Sequence, residues 1–130
     1  MPRSEATSYL AKADEFLAAA TAAAADAKHD AAMLNAIHAA ISATDAVTVN
    51  LAGVRSSDPD HLRAVDLLVE VGRGSAAVAA RARQLRQLLE RKNEVEYRSR
   101  RARGSEAADA LKRASRLLAW AHDVVVGAKG

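Results

Sequence analysis

Apolar residues recur at the three- and four-residue spacing of an amphipathic helix along most of the chain, and this pattern constrains the fold most. Alanine makes up about a quarter of the 130 residues, aromatic residues make up 3%, and only two prolines occur. Because alanine is the best helix former, this composition favours helix strongly. The length suits one domain with a single core. The sequence therefore predicts an all-α protein with one domain over residues 1–130 and short flexible ends at 1–4 and 127–130.

Candidate caps and glycines divide the pattern into five predicted helices. A polar side chain just before a helix can accept a hydrogen bond from a free backbone N–H group. The predicted first residues or N-caps are Ser4, Asp30, Asp58 (with Pro59 at the first helical position), Ser75 and Ser105. The expected helix ends are Lys28, Gly53, Gly72 or Gly74, and Tyr97, followed by a basic loop over 98–104. Short connections predict an antiparallel up-and-down bundle of four to five helices.

Several classes of protein are excluded or disfavoured by what the sequence lacks. There is no cysteine, so the chain has no disulfide framework, thiolate nucleophile or thiolate metal site. No apolar run approaches the roughly 20 residues that span a bilayer, and the first residues lack the apolar segment of a secretion signal. Neither His61 nor His122 has a second ligand at metal spacing. We expect a cytoplasmic protein without a membrane segment, metal or cofactor.

Positive charge is concentrated in the segment 81–103. This segment carries nine basic and three acidic residues, whereas residues 1–80 carry six basic and ten acidic residues. A basic segment suits a phosphate-bearing partner, because lysine and arginine displace condensed counterions from nucleic acid. The alternative is an ordinary solvated helix face. The four aromatic side chains are too few for the extended stacking surface of single-strand binders, and Trp120 is more typical of a core or dimer contact.

The order of segments along the chain resembles that of small prokaryotic HEPN-domain proteins. Residues 31–49 are similar to the second helix of that family, and the segments 60–68 and 88–97 follow in the same order. The likeness covers roughly residues 5 to 125, and its ordered set is more specific than any one motif. The resemblance implies a helical bundle that commonly dimerises. It also implies kinship with metal-independent ribonucleases, some of which are toxins paired with a nucleotidyltransferase-type antitoxin.

The chain departs from the family's active-site pattern, in which an arginine and a polar residue precede a histidine. If Lys92 and Asn93 match the Arg-polar pair, the histidine position falls on Tyr97. If Arg91 is taken as the arginine, the same spacing reaches Glu96. Tyrosine, with a pKa near ~10, is a poor general base at neutral pH. Lys92, Asn93 and Tyr97 are therefore only weak catalytic candidates, and the resemblance implies a degenerate site.

Two polar residues in the second predicted helix are candidates for a supporting role. His38 and Asp45 lie two helical turns apart and so share a face. An aspartate among apolar neighbours is costly when buried without a partner, so Asp45 is expected to face the fourth helix and pair with Lys92 or a neighbouring arginine. Replacing it with alanine is then expected to lower stability. The alternative is a histidine at a packing edge and an aspartate bonded to a neighbouring helix.

Two functions follow as expectations. The first is a homodimeric HEPN-like module, joined through an alanine-rich face, that binds RNA, a nucleotide or a partner protein without efficient catalysis. Its predicted nucleic-acid-binding residues are Arg91, Lys92, Arg98, Arg100, Arg101 and Arg103. The second is a metal-independent endoribonuclease of toxin type, paired with a nucleotidyltransferase-type antitoxin.

Overall fold

The structure, a computed structural model, describes residues 2–58, 60–97 and 101–127. These ranges contain a short 3-10 turn and five α-helices, and no β-strand. The helices are α1 (Ala6–Ala25), α2 (His29–Ala52), α3 (Leu62–Gly72), α4 (Ala76–Tyr97) and α5 (Gly104–Gly127). The predicted all-α class is confirmed. Within the same ranges, no helix combines the length and the apolar character that crossing a bilayer requires.

Helix α2 lies at the centre of the fold. It packs against each of the other four helices, and α1, α2 and α5 also contact one another pairwise. Helix α3 packs only on α2 and α4 among the described elements, and α4 additionally reaches α5. Every residue of α2 from 39 to 49 is buried. A helix that is buried on all sides must be mostly apolar, and alanines, valines and an isoleucine make up most of this stretch, beside the buried polar residues Ser42, Thr44, Asp45 and Thr48.

Two of the buried polar residues inside α2 hydrogen-bond to carbonyl groups of their own helix. The hydroxyl of Thr44 donates to the carbonyl of Ala40 at 2.9 Å, and that of Thr48 donates to the carbonyl of Asp45 at 3.2 Å. These bonds offset the cost of burying two hydroxyl groups. Large side chains are scarce in this core. The largest fully buried apolar ones are Met33, Ile37, Leu68, Leu85, Leu88 and Leu117.

Two predicted helix starts are confirmed or nearly so. Ser75 precedes α4, and its Oγ accepts a hydrogen bond from the N–H of Val78 at 3.3 Å. Ser4 lies instead in the 3-10 turn Arg3–Glu5, so α1 begins at Ala6. The helix ends at Gly53, in the left-handed conformation with φ 69°, and at Gly72 agree with the sequence. Helix α1 ends at Ala25, slightly before the expected Lys28.

The other three predicted caps are wrong. Helix α2 begins at His29, so Asp30 is already in its first turn. Ser105 lies inside α5, which begins at Gly104, and the carboxylate of Glu106 accepts the N–H of Arg103 at 3.0 Å instead. At each of these two helix starts another side-chain hydrogen bond is formed. A capping residue in the sequence therefore does not by itself locate the first residue of the helix.

The third helix starts later than the sequence predicts. Asp58 is its predicted cap, but α3 begins at Leu62. Asp58 Oδ1 accepts the N–H of Asp60 at 2.8 Å, and Asp60 Oδ1 in turn accepts the N–H of Leu62 at 3.0 Å. These two side-chain turns keep the chain out of the helix, a common competing use of aspartate. Pro59 lies outside the described residues. In the predicted basic loop, residues 101–103 are non-helical, and 98–100 are not among the described residues.

Candidate ligand-binding site

Asp45 and Arg55 lie between two adjoining pockets. The first, here called the aromatic pocket, has a volume of about 460 Å³ and is also lined by Tyr9, Lys12, Glu15, Phe16 and Ser42. The second, here called the loop pocket, has a volume of about 220 Å³ and is also lined by Ile41, Ser56, Ser57, Asp58, His61 and Ala64. Residues of α1 and α2 line the aromatic pocket together with Arg55 from the loop after α2. The same loop contributes Arg55, Ser56, Ser57 and Asp58 to the loop pocket.

Asp45 is the buried acidic group of this region. Its side chain is 10% exposed, and its Oδ2 lies 3.9 Å from Nη1 of Arg55. Burial raises the pKa of Asp45 to about 6, although the positive charges of Arg55 and Lys12 act in the opposite direction. The predicted pairing with Lys92 is wrong, because the loop after α2 returns to cover this part of the helix and supplies the cation instead.

Two cations lie over the ring of Tyr9 in the aromatic pocket. The Nζ atom of Lys12 is 5.3 Å from the ring centroid, and the Cζ atom of Arg55 is 5.6 Å from it. Both distances are within the range of favourable cation–π contacts. Phe16 lines the same pocket, and its ring lies 5.4 Å from that of His38 with an angle of 30° between the planes. The pocket thus combines two aromatic rings with two cations.

The sequence pattern did not single out Tyr9, Lys12, Phe16 or Arg55 as site residues. A signal was present for three of them, since Tyr9, Lys12 and Phe16 are spaced as i, i+3 and i+7 and therefore share one helical face. Four aromatic residues are still too few for an extended stacking surface. Two of them in one pocket are enough to hold a single ring. No local pattern indicates the position of Arg55, because it depends on the path of the loop.

His38 is a second polar residue of α2 and lies two helical turns before Asp45. The pKa of His38 is lowered, first by burial and then by the charges of Lys92 and His61, with Glu96 acting in the opposite direction. The fold therefore brings His38, His61 and Lys92 from three elements into one electrostatic environment. His38 and Asp45 do share the face of α2 that the sequence predicts. His38 contacts Phe16 of the aromatic pocket, whereas Asp45 forms part of the pocket wall.

Three of the four predicted nucleic-acid-binding residues that the structure describes are engaged in ion pairs. Lys92 Nζ lies 2.8 Å from Glu96 Oε2. Arg91 hydrogen-bonds to Asp109, which also accepts from Arg113 at 2.9 Å. Neutralisation by these carboxylates weakens the electrostatic case for a free basic surface at the end of α4.

The other described candidates near the end of α4 are all exposed. Arg101 Nε lies 3.2 Å from Asp30 Oδ2, although its side chain is 80% exposed, and Asn93 and Arg103 are exposed as well. Arg98, Arg100 and the side chain of Tyr97 lie outside what the structure describes.

Neither a metal centre nor a known relative accounts for the site. Among the described residues, no group of three or more histidine, aspartate and glutamate side chains is placed to hold a metal ion. Comparison with protein-family models, with curated proteins and with solved structures gave no match for this chain. The site therefore has to be interpreted from its own chemistry.

Proposed function

We propose that the protein is a helical binding module that holds a nucleotide, or one nucleotide of an RNA chain, in the aromatic pocket without efficient catalysis. The observation that carries this proposal is the combination of Tyr9 and Phe16 with Lys12 and Arg55 in one pocket of about 460 Å³. That volume lies within the roughly 300–1,000 Å³ of typical small-molecule sites.

The chemistry of a nucleotide matches the lining of this pocket. An aromatic ring offers a stacking surface to any base, and base–aromatic stacking contributes about 1–3 kcal/mol. Lys12 and Arg55 are placed to meet a phosphate, and the planar guanidinium of Arg55 suits two phosphate oxygens. Glu15 and Asp45 would repel a bare anion, but their carboxyl groups accept hydrogen bonds from base amino groups. The lining therefore favours a base with a phosphate over phosphate alone.

The absence of efficient catalysis rests on the end of α4. Lys92, the residue aligned with the arginine of active HEPN-like proteins, forms an ion pair with Glu96 at 2.8 Å. The histidine position of that pattern is a tyrosine. A cation already neutralised and a base with a high pKa are poorly suited to cleaving a phosphodiester.

The HEPN resemblance and a homodimer are parts of the same proposal. Many alanines that the sequence pattern assigns to a dimer face are buried inside one chain, so a second copy would contact other residues. Leu51 and Val54 are 39% and 43% exposed, and they line a groove with Leu67 and Val71. Light scattering at high micromolar concentration should give the mass of a dimer. The mass of a monomer at that concentration would contradict this part of the proposal. A nucleotidyltransferase-type partner would be sought separately, by co-purification.

The binding proposal is tested with a fluorescently labelled adenosine monophosphate and a short labelled single-stranded RNA. Lys12→Ala should weaken binding of both about tenfold, because it removes a cation above Tyr9. Tyr9→Leu should weaken both by a similar factor through loss of stacking. Lys28→Ala is the matched control, since Lys28 is an exposed lysine beyond the end of α1 whose ion pair among the described residues is with Asp26 at 3.5 Å. Equal affinity of Lys12→Ala and the unmodified protein would overturn the proposal.

The alternative function, a metal-independent ribonuclease, is favoured by one specific observation. Lys92 and His61 both act electrostatically on His38, so imidazoles that α4 lacks are present on neighbouring elements. The lowered pKa of His38 keeps its ring neutral at pH 7, as a general base requires. RNA cleavage in the presence of a chelator, lost in His61→Ala and Tyr97→Phe but retained in His122→Ala, would favour this function over simple binding.

A further inference from the structure

A groove near the C-terminal end of α1 has the opposite character to the aromatic pocket. It lies where the end of α1, the start of α2 and the first turns of α5 meet, and its volume is about 500 Å³. Its floor consists of Ala24, Ala107, Ala108 and Leu111. The small side chains of the three alanines leave the space open. The floor has no aromatic ring, so it offers a base no stacking surface.

The edge of the groove is cationic. Two cations, Lys112 and Arg116, line it together with His29 and Ser115, and no acidic residue does. Lys112 and Arg116 are one turn apart on α5, so they project from the same face. Neither has an ion pair or a side-chain hydrogen bond among the described residues. The intervening Arg113 differs, since it points toward α4 and bonds to Asp109 and to Gln87 Oε1 at 2.6 Å.

Gly104 allows a close contact with the ring of His29 at one end of the groove. A Cβ atom at this position would lie 3.2 Å from Cε1 of His29. Glycine therefore lets the imidazole ring lie against the first residue of α5. From Gly104 to Arg116 the helix rises about 18 Å at 1.5 Å per residue. The groove is thus a long apolar strip with a histidine at one end and an arginine at the other.

We propose that this groove binds a linear amphiphilic carboxylate, with its alkyl body along the alanine floor and its carboxylate against Lys112 and Arg116. Charge complementarity selects the head group, because the only charged side chains that line the groove among the described residues are the cations Lys112 and Arg116, and both lack described partners. The apolar floor selects the body, because burying methylene groups there removes them from water. This site shares no lining residue with the aromatic pocket, so it is independent of the function proposed above.

Decanoate below its micellar concentration is the probe, followed by chemical-shift changes of the backbone amides in a ¹⁵N-labelled protein. The amides of Ala107, Ala108 and Leu111 should shift. Octanoate should bind about tenfold more weakly than decanoate, because it is two methylene groups shorter. Decanol has the alkyl chain without the carboxylate, and acetate has the carboxylate without the long chain. Both should bind at least tenfold more weakly than decanoate. Equal binding of decanol, or shifts confined to other helices, would overturn the proposal.

Two pairs of variants locate the site. Arg116→Gln should weaken decanoate binding about tenfold, whereas Arg83→Gln, an exposed arginine on α4, should leave it unchanged. Ala108→Phe should fill the groove and abolish binding, whereas Ala119→Phe, at an exposed position of α5 outside the groove, should not. An effect of both members of either pair, or of neither, would overturn the proposal. So would an acidic amphipathic peptide that shifts the same amides when decanoate does not, because the occupant would then be a protein helix.

Discussion

Arg55 Nη1 lies 3.9 Å from Oδ2 of Asp45, and yet the buried carboxyl group still has a raised pKa. The two side chains differ in exposure, at 38% for Arg55 and 10% for Asp45. Water therefore screens the cation while the carboxylate bears most of the desolvation cost. The pair compensates only part of the cost of burying a negative charge. Asp45 is thus a source of instability in the ionised state, which reverses the expectation drawn from the sequence.

Replacing Asp45 with asparagine should stabilise the protein at alkaline pH. The folded pKa of about 6 is above the ordinary value of 3.8, so the folded state binds the proton more tightly than the unfolded state does. The contribution of Asp45 to stability is then largest below pH 4, falls between pH 4 and 6, and stays reduced above that range. A shift of this size corresponds to about 3 kcal/mol at most. Asp45→Asn should recover about 1–3 kcal/mol at pH 8 and little at pH 4.

Urea unfolding of the variant and the unmodified protein at pH 4 and pH 8 measures this difference. The matched control is Asp123→Asn, at an exposed position of α5, which should show no such dependence on pH. A variant that is less stable at pH 8 than the unmodified protein would show that the ion pair outweighs desolvation.

Replacing Asp30 with alanine should loosen the start of α5. Its carboxylate accepts the N–H of Ala102 at 2.7 Å and the Nε–H of Arg101 at 3.2 Å, which joins the segment before α5 to the first turn of α2. Loss of both bonds should cost about 1–2 kcal/mol. The control is Asp26→Ala, since Asp26 forms an exposed ion pair with Lys28, and such a pair should matter little. Thermal unfolding midpoints that are equal for the two variants would refute the role of Asp30.

Gly72 is required by a close approach between the end of α3 and the start of α4. A Cβ atom there would lie 2.5 Å from Cγ1 of Val78, a buried residue that has little room to move. Gly72→Ala should therefore destabilise the protein by about 1–3 kcal/mol through overpacking. Gly127→Ala adds the same methyl group where nothing lies within 4 Å and should be neutral. Denaturant midpoints distinguish the two, and an unchanged midpoint for Gly72→Ala would mean that α3 and α4 separate easily.

Replacing Arg98, Arg100, Arg101 and Arg103 with alanine should separate two modes of binding. A long single-stranded RNA should bind more weakly, and its logarithmic salt slope should fall by about 2–3, at roughly 0.7 for each phosphate that is no longer neutralised. Binding of a mononucleotide in the aromatic pocket should be unchanged. Anisotropy titrations at several salt concentrations measure both. Loss of mononucleotide binding as well would place the whole site on the basic segment rather than in the pocket.

The sequence predicts those features of the fold that depend on local periodicity. The all-α class and the ends at Gly53 and Gly72 follow from helical spacing and from the backbone freedom of glycine. The predicted caps at Asp30 and Asp58 are wrong, because an aspartate can bond to a distant N–H or to its own turn as readily as to a helix start. Such choices are made by tertiary contacts, which a single sequence does not contain.

The candidate site was predictable only in part. His38 and Asp45 were identified from their shared face, but the partner of Asp45 comes from a loop whose path depends on how it packs over α2. The cations of α4 were counted correctly along the chain. The pairing of Arg91 with Asp109 depends on the packing of α4 against α5, and that of Arg101 with Asp30 depends on how the segment before α5 meets α2. The linear charge balance therefore overstated the basic surface.

The packing of α3 determines which helix should detach first in local unfolding of the protein. Since α3 packs only on α2 and α4 among the described elements, it can detach while α1, α2 and α5 stay together. Its backbone amides should therefore exchange with deuterium earlier than those of α2. Asp58 and His61, just before α3, line the loop pocket beside Asp45. A ligand that spans this pocket would hold the first turn of α3 in place. Binding of the ligand should therefore slow the deuterium exchange of amides along α3, although the ligand contacts little of that helix.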